Sequence, residues 1–358
     1  LHLNASQLIN LAPTGAGPAG TTTLVAGRNL DLGTQTESRR QEIVWNARNY
    51  RREGKDSDAG TTIHTTGNLN LQAGQDITAR AAQLTSDQGA LTATAGRDLT
   101  LMAGTQRQLL DEAHQYKQRS LLSSKTITTR DTLDSTTALA STLSGDTTAL
   151  YAGQDIRVMG SNVVSTQLTS LGAGRDLRIE ASTEVRNENH IRTEKKSGLF
   201  SGGGLGVTLG TQRQQTDHDT QSKRAAASTI GSTDGDIALW AGRSYAQHGS
   251  DVLATNGDIT LAAQRIDILE ARETQRSKTD TRFTQSGLTL ALSGPVINAV
   301  QTTLQMKDAS SRTTDSRMKA LAAANAGMST YDAAQAINQG QGQTIDGKPG
   351  QIVTGTDD

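Results

Sequence analysis

Residues 70–104 read NLQAGQDITARAAQLTSDQGALTATAGRDLTLMAG, a stretch that says nearly the same thing twice. AGQDI at Ala73–Ile77 returns as AGRDL at Ala95–Leu99, 22 residues on. Before the first copy Leu69, Leu71 and Ala73 alternate with polar Asn70 and Gln72, and after its turn Ile77 and Ala79 resume the alternation. Alternation at period two places one set of side chains inside and the other in solvent.

The motif begins at Ala26, Ala73, Ala95, Ala152 and Ala173, with degenerate copies at Ala241 and Ala262, so the spacings are 47, 22, 57, 21, 68 and 21. A period of 21 to 22 is too short for a helix–turn–helix repeat and fits one coil of a β-solenoid. A single coil cannot bury its inner face. Stacking pairs each strand with its equivalents above and below, at about 4.8 Å per coil. The turn falls on Gly27 and Asn29, Gly74 and Asp76, Gly96 and Asp98, Gly153 and Asp155, and Gly174 and Asp176. Glycine suits such a corner through its backbone freedom, and the Asp or Asn forms a ladder along it. These residues read as structural turns, not ligand contacts.

Composition agrees. Only 34% of the 358 residues are hydrophobic and 3% aromatic, against 36 glycines, which suits a thin core of small and aliphatic side chains. The absence of cysteine removes disulfides and thiolate chemistry, and a formal charge of −1 gives no global field for nucleic acid. No apolar run reaches a membrane-spanning helix, and LHLNASQLIN is not laid out as a signal peptide, so the chain reads as a piece of something longer.

The long spacings leave room for charged insertions. The third, around KKSGLFSGGGLGVTLGTQ (195–212), has polar arms flanking a Gly-rich centre, and alternating apolar residues mark an extended hairpin. QLLDEAHQYKQ (108–118) in the second has helical character, making that insertion the exception to watch. The expected layout is β-helix repeats over 1–270 with hairpins at about 36–59, 106–138 and 183–229. A fourth insertion or extended segment covers 271–314, a possible capping helix 315–337, and a linker or disordered tail 338–358. The helix rests on Met318, Leu321 and Ala322 at helical spacing after a cap at Asp315 or Ser316.

The G-x-L-x-L-x-A-G-x-D-I/L coils, the Gly-rich insertion, SGLTLALSGPVINAVQ and SRMKALAAANAG together resemble the filamentous-haemagglutinin-like exoproteins of two-partner secretion. The Gly-rich insertion resembles the second haemagglutinin repeat region of contact-dependent growth-inhibition effectors and related adhesins. The resemblance implies a right-handed parallel β-helix, export through an outer-membrane two-partner-secretion transporter, and display as a filament on a Gram-negative cell. It also implies a role in carrying a toxin across a target-cell outer membrane; a filamentous adhesin binding surface ligands is the alternative. The partners it implies are that transporter and a target-cell envelope or surface receptor. Exposed solenoid ends add possible self-association.

Chemistry is sparse. The six histidines lack metal-ligand spacing, including His218 in TDHDT, and SGGGLG is followed by no Lys-Ser/Thr pair. Polysaccharide-cleaving β-helices need clustered carboxylates or a carboxylate beside Arg or Lys on adjacent coils, but here the turn accounts for the stacked acids, and aromatic sugar platforms are nearly absent. The reading is therefore no enzyme, no catalytic residue, no cofactor and no metal. Leu199, Phe200, Leu205, Val207 and Leu209 are the candidate membrane- or partner-contact residues. Apolar alternation there, and in GLTLALSG, would give an amphipathic sheet if several hairpins paired.

Overall fold

The computed structural model describes residues 1–12, 20–201 and 207–290. Among these the chain is all-β, with no helix; the candidate helix at 315–337 and the segment 338–358 lie outside the described residues. The described chain divides into two compact units. Among the described residues one holds those within 1–113, 130–190 and 218–279; the other holds those within 114–129, 191–217 and 280–290.

In the first unit the alternation becomes three tracks of parallel strands, compatible with a β-solenoid. One is an eight-stranded sheet running from His2–Asn4 through Leu30–Gly33, Ile77–Arg80, Leu99–Met102, Ile156–Met159 and Asp176–Glu180 to Ser244–His248 and Arg265–Leu269. The other two share a twelve-stranded sheet, which Thr142–Ala152 and Asn162–Ala173 join because each runs through both tracks.

The register stacks like on like. Leu30, Ile77, Leu99, Ile156, Leu177 and Tyr245 are partners in sequence along one track. Leu71, Ala93, Leu150, Leu171 and Leu239 are partners along the second, and Ile63, Leu84, Leu143, Val163 and Ile230 along the third. All but a few per cent of each side chain is buried. Tyr245 is the aromatic residue of this core. Its hydroxyl bonds Gln247 Oε1 at 2.7 Å, and burial pushes its pKa up to about 12.

Insertions leave and return at one corner, after the eight-stranded track and before the third. Corners without an insertion turn through one left-handed residue: Ala5, Ala81, Gly160 or Gly249, with φ between 46° and 57°. Ser and Thr hydroxyls close the same corner. Thr61 donates to Leu3 O at 2.8 Å, Ser141 to Met102 O at 2.8 Å and Ser228 to Glu180 O at 2.7 Å; Met102 O and Glu180 O also accept the backbone N–H of Ala81 and Gly160, so there the hydroxyl is a second donor.

The excursions form a seven-stranded sheet in the order Thr274–Leu290, Val207–Ala226, Ser182–Ser201, Ser123–Leu139, Gly104–Arg119, Asn49–Ala59, Gln35–Asn46. Gln35–Asn46 pairs antiparallel with Asn49–Ala59, which pairs with Gly104–Arg119 from Ser57↔Gln106 to Tyr50↔Ala113. QLLDEAHQYKQ is therefore strand and not helix. Pairing with a preformed neighbouring hairpin satisfies its backbone and overrides its local propensity.

The motif glycines need a different explanation from the one the sequence suggests. Gly74, Gly96, Gly153 and Gly174 have no left-handed φ. A Cβ on each would instead stand 2.1–2.3 Å from a carbonyl oxygen of the preceding motif glycine. Close stacking of backbone on backbone, not turn freedom, excludes a side chain there.

Candidate contact surfaces of the corner and the hairpins

The Asp and Asn of the motif converge along one corner of the first unit. The amide N–H groups of Asp98, Asp155 and Asp176 donate to Oδ1 of Asp76, Asp98 and Asp155 at 3.4, 3.2 and 3.2 Å. Asp76 N–H reaches Asn29 Oδ1 at 3.4 Å. Where the motif reads AGR, its arginine reaches back to the acid of the preceding copy. Arg97 holds Asp76, Arg175 holds Asp155 and Arg243 holds Asp176, each through Nε and Nη2. The guanidinium is the leading cause that holds all three carboxyls below the usual range. Asp176 is nearly buried and also accepts the Ser244 hydroxyl at 2.7 Å. These three acids thus have their charge matched within the repeat, while Asp98, followed by Gln154 in the next copy, stands 3.5 Å from Nε of Arg97.

Charges on the hairpin strands are likewise matched across the sheet. Arg40 pairs with Asp56 at 2.8 Å, Arg52 with Glu42 at 2.7 Å, Arg107 with Asp134 at 2.7 Å and Arg130 with Asp111 at 3.0 Å. A cleft of about 470 Å³ opens among Arg40, Arg52, Asp111, Arg130 and Asp134, all engaged in these pairs. In the second unit Lys125 pairs with Glu194 at 2.9 Å. Other basic residues pair within their own strand, as Arg51 does with Glu53 and Arg186 with Glu188.

Histidines follow the same rule. His64 meets Asp87 at 2.9 Å, His190 meets Asp131 at 2.8 Å, and the rings of His190 and His218 stack at 6.5 Å. Among the described residues no group of three or more His, Asp or Glu is placed to hold a metal ion, and no helix is long and apolar enough to cross a membrane.

Apolar side chains collect where the hairpin strands reverse. In the second unit Leu199 and Leu209 are exposed and Phe200 is half-buried; Leu205 lies outside the described residues, and of Val207 only its place in a strand is described. The structure brings Leu199 beside Leu122, whose carbonyl accepts the Leu199 N–H at 2.9 Å. Leu122 is exposed, as are Tyr116, Leu121, Phe283 and Leu288 of the same unit; of these the sequence pointed only to Leu288, in GLTLALSG. Ile43, Val44 and Trp45 stand exposed where the first hairpin reverses. The available signal was an apolar pair or triplet at the reversal of a charged segment.

Glycines let these strands approach. Gly198, with φ +100°, passes against Leu122 O, and Gly210 against Ser286 O, where a Cβ would stand 2.1–2.2 Å away. Thr211 and Ser286 share a hydrogen bond of 3.0 Å beside that contact.

Comparison with known proteins places this geometry. The hemagglutinin repeat profile matches residues 46–120, 122–212 and 209–348. A protein named deoxyribonuclease CdiA from Dickeya dadantii (strain 3937) is 38% identical over 279 residues, 77% of this chain and 8% of that protein. A 16S rRNA endonuclease CdiA from Enterobacter cloacae is 32% identical over 282 residues, and a tRNA nuclease CdiA from Escherichia coli (strain STEC_O31) 33% over 267 residues. These cover 78% and 72% of this chain, and the chain spans 8% of each of these relatives. No solved structure matches the chain.

Proposed function

The chain belongs to the hemagglutinin repeat family, and from that premise we propose that it is the structural and delivery segment of a secreted, contact-dependent toxin. One observation carries the reading. The relatives are named for three different activities, a deoxyribonuclease, an rRNA endonuclease and a tRNA nuclease, yet each shares this segment. A segment common to different chemistries fits a carrier, whereas a catalytic domain would differ with the activity. In this reading the toxin chemistry lies elsewhere in the protein and the segment itself is not an enzyme.

The segment is a right-handed β-helix of 21–22-residue coils with hairpins at about 36–59, 106–138 and 183–229, extended by 271–314, capped by a helix at 315–337 and followed by a linker. Its parent passes through an outer-membrane two-partner-secretion transporter and stays attached to the Gram-negative surface as a filament. Its target is the envelope, or a surface receptor, of a neighbouring cell. The paired hairpins, with Leu199, Leu209, Phe283 and Leu288 exposed, are the part that meets that envelope. They are exposed apolar side chains on strands that otherwise carry paired charges.

The test is a chimera in which this chain replaces the aligned segment of the Dickeya dadantii protein. Co-culture with susceptible cells reads growth inhibition, and surface labelling reads display. Inhibition is expected from the chimera and not from a version lacking residues 182–226, with both displayed equally. Inhibition that survives the deletion would overturn the delivery role.

A further inference from the structure

On the solvent face of the twelve-stranded sheet, Tyr151, Gly172 and Trp240 stand at one register position on consecutive strands. The chain has few aromatic residues, yet these two stand half-exposed, at 46% and 52%, one strand to either side of a glycine. At about 4.8 Å per strand their backbones are roughly 10 Å apart. The glycine is needed: a Cβ at Gly172 would come within 2.9 Å of Cδ1 and 3.2 Å of Cε1 of Tyr151. The tyrosine ring therefore lies over Gly172, and its hydroxyl meets Ser170 Oγ at 3.3 Å.

Together these residues wall a shallow cleft of about 610 Å³, within the size range of small-ligand sites. Its surface is mainly apolar, Ala238 and Gly172 keep it flat, and Ser170 and Thr94 add hydroxyls. None of the residues lining it carries a charge. The Trp240 indole N–H has no partner among the described residues.

We propose that Tyr151, Gly172 and Trp240 form a binding site for a neutral pyranose oligosaccharide. A pyranose ring matches the cleft in kind: its C–H face stacks on an aromatic ring, and its rim of hydroxyls finds Ser170, Thr94 and the free indole donor. The lack of charge disfavours a phosphorylated or acidic glycan. An extended peptide gains no main-chain bonds here, because this is the face of a sheet whose ladder partners are already taken on both sides. The site stands on its own geometry and does not depend on the delivery reading.

The full chain is titrated separately with cellotetraose, maltotetraose and the tetramer of N-acetylglucosamine, following indole fluorescence and the heat of binding. At least one is expected to give a saturable, millimolar response. Trp240→Ala abolishes the fluorescence response while Trp45 still emits, and Tyr151→Ala weakens binding at least about tenfold. Gly172→Val keeps both rings but displaces the tyrosine, and weakens binding similarly. Tyr151→Phe keeps the ring and changes affinity less than about threefold. Melting curves check that each variant is folded, as expected for half-exposed positions. No saturable response to any tetrasaccharide, or binding undiminished in folded Trp240→Ala, overturns the proposal. So does a dimer in sedimentation that Trp240→Ala dissolves, which would assign the face to a second copy of this chain.

Discussion

Arg97 holds Asp76 with two parallel contacts, Nε to Oδ1 at 2.7 Å and Nη2 to Oδ2, across one step of the repeat. Arg175 on Asp155 and Arg243 on Asp176 repeat the arrangement. The sequence shows why the ladder is interrupted: Gln75 and Gln154 stand where the copies at Ala26, Ala95, Ala173 and Ala241 have arginine. The backbone N–H of the next Asp completes Asp76 and Asp155, and the Ser244 hydroxyl completes Asp176, so the carboxylate both stitches layers together and neutralises the arginine.

The strongest dependence falls on Asp176, whose side chain is 4% exposed. It accepts Arg243 Nε at 2.8 Å and Ser244 Oγ at 2.7 Å. Asp176→Ala is expected to cost about 2 kcal/mol in urea unfolding, the range for hydrogen bonds to a charged group. Asp76→Ala, more exposed at 22%, should cost less. Equal costs for the two would mean that burial does not grade the ladder.

Acid should weaken the fold within a defined window. Asp56 is lowered to about 2, first by the Arg40 guanidinium and then by the Ser38 hydroxyl, and Asp176 is depressed further, chiefly by Arg243. A carboxylate whose folded pKa is depressed stabilises the fold above its unfolded value and loses that contribution as pH falls through the folded value. Melting temperature should therefore hold from neutral pH down to about 5 and fall below about 4. Asp176→Asn should flatten the acid limb in thermal melts at fixed ionic strength.

Much of the first unit was legible because its physics is local. Leu69, Leu71 and Ala73 alternate within one strand, and the motif repeats often enough to show which residues stack. The hairpin sheet was legible only in outline, since the partner of Ala113 is Tyr50, brought there by a separate hairpin and announced by no local pattern. For the same reason QLLDEAHQYKQ looked helical. Left-handed Ala5 and Ala81 escaped notice because alanine carries no sign of that conformation, whereas Gly160 and Gly249 do.

The motif glycines separate two explanations. If they served turn freedom, alanine would cost the same at each. The close approach of stacked backbones predicts otherwise. A Cβ at Gly96 or Gly153 would stand 2.3 Å from a carbonyl oxygen, whereas one at Gly27, in the first copy, meets nothing within 4 Å. Gly27→Ala should stay within about 0.5 kcal/mol of the parent. Gly96→Ala and Gly153→Ala should lose about 3 kcal/mol or more, because backbone cannot yield as a side chain would. Urea denaturation of the three variants decides the matter.

Among the apolar side chains left uncovered in the second unit, Leu199 and Leu209 were named from the sequence, whereas Phe283, inside the strand Thr274–Leu290, was not. Leu199 and Leu209 are 40% and 59% exposed, and Phe283 and Leu288 are 55% each, all in the second unit. Apolar surface left on a charge-matched sheet has a partner to find. If that partner is lipid, the full chain co-sediments with vesicles of phosphatidylethanolamine and phosphatidylglycerol. The triple change Leu199→Ser, Leu209→Ser, Phe283→Ser then reduces the bound fraction at least about fivefold, since each buried side chain is worth about 1.5–3 kcal/mol. Melting temperature should barely move, because exposed positions contribute little to the folded core. Wild-type protein that leaves vesicles unbound at every lipid ratio would remove the membrane from this account. The same apolar residues would then be left for a protein receptor on the target cell.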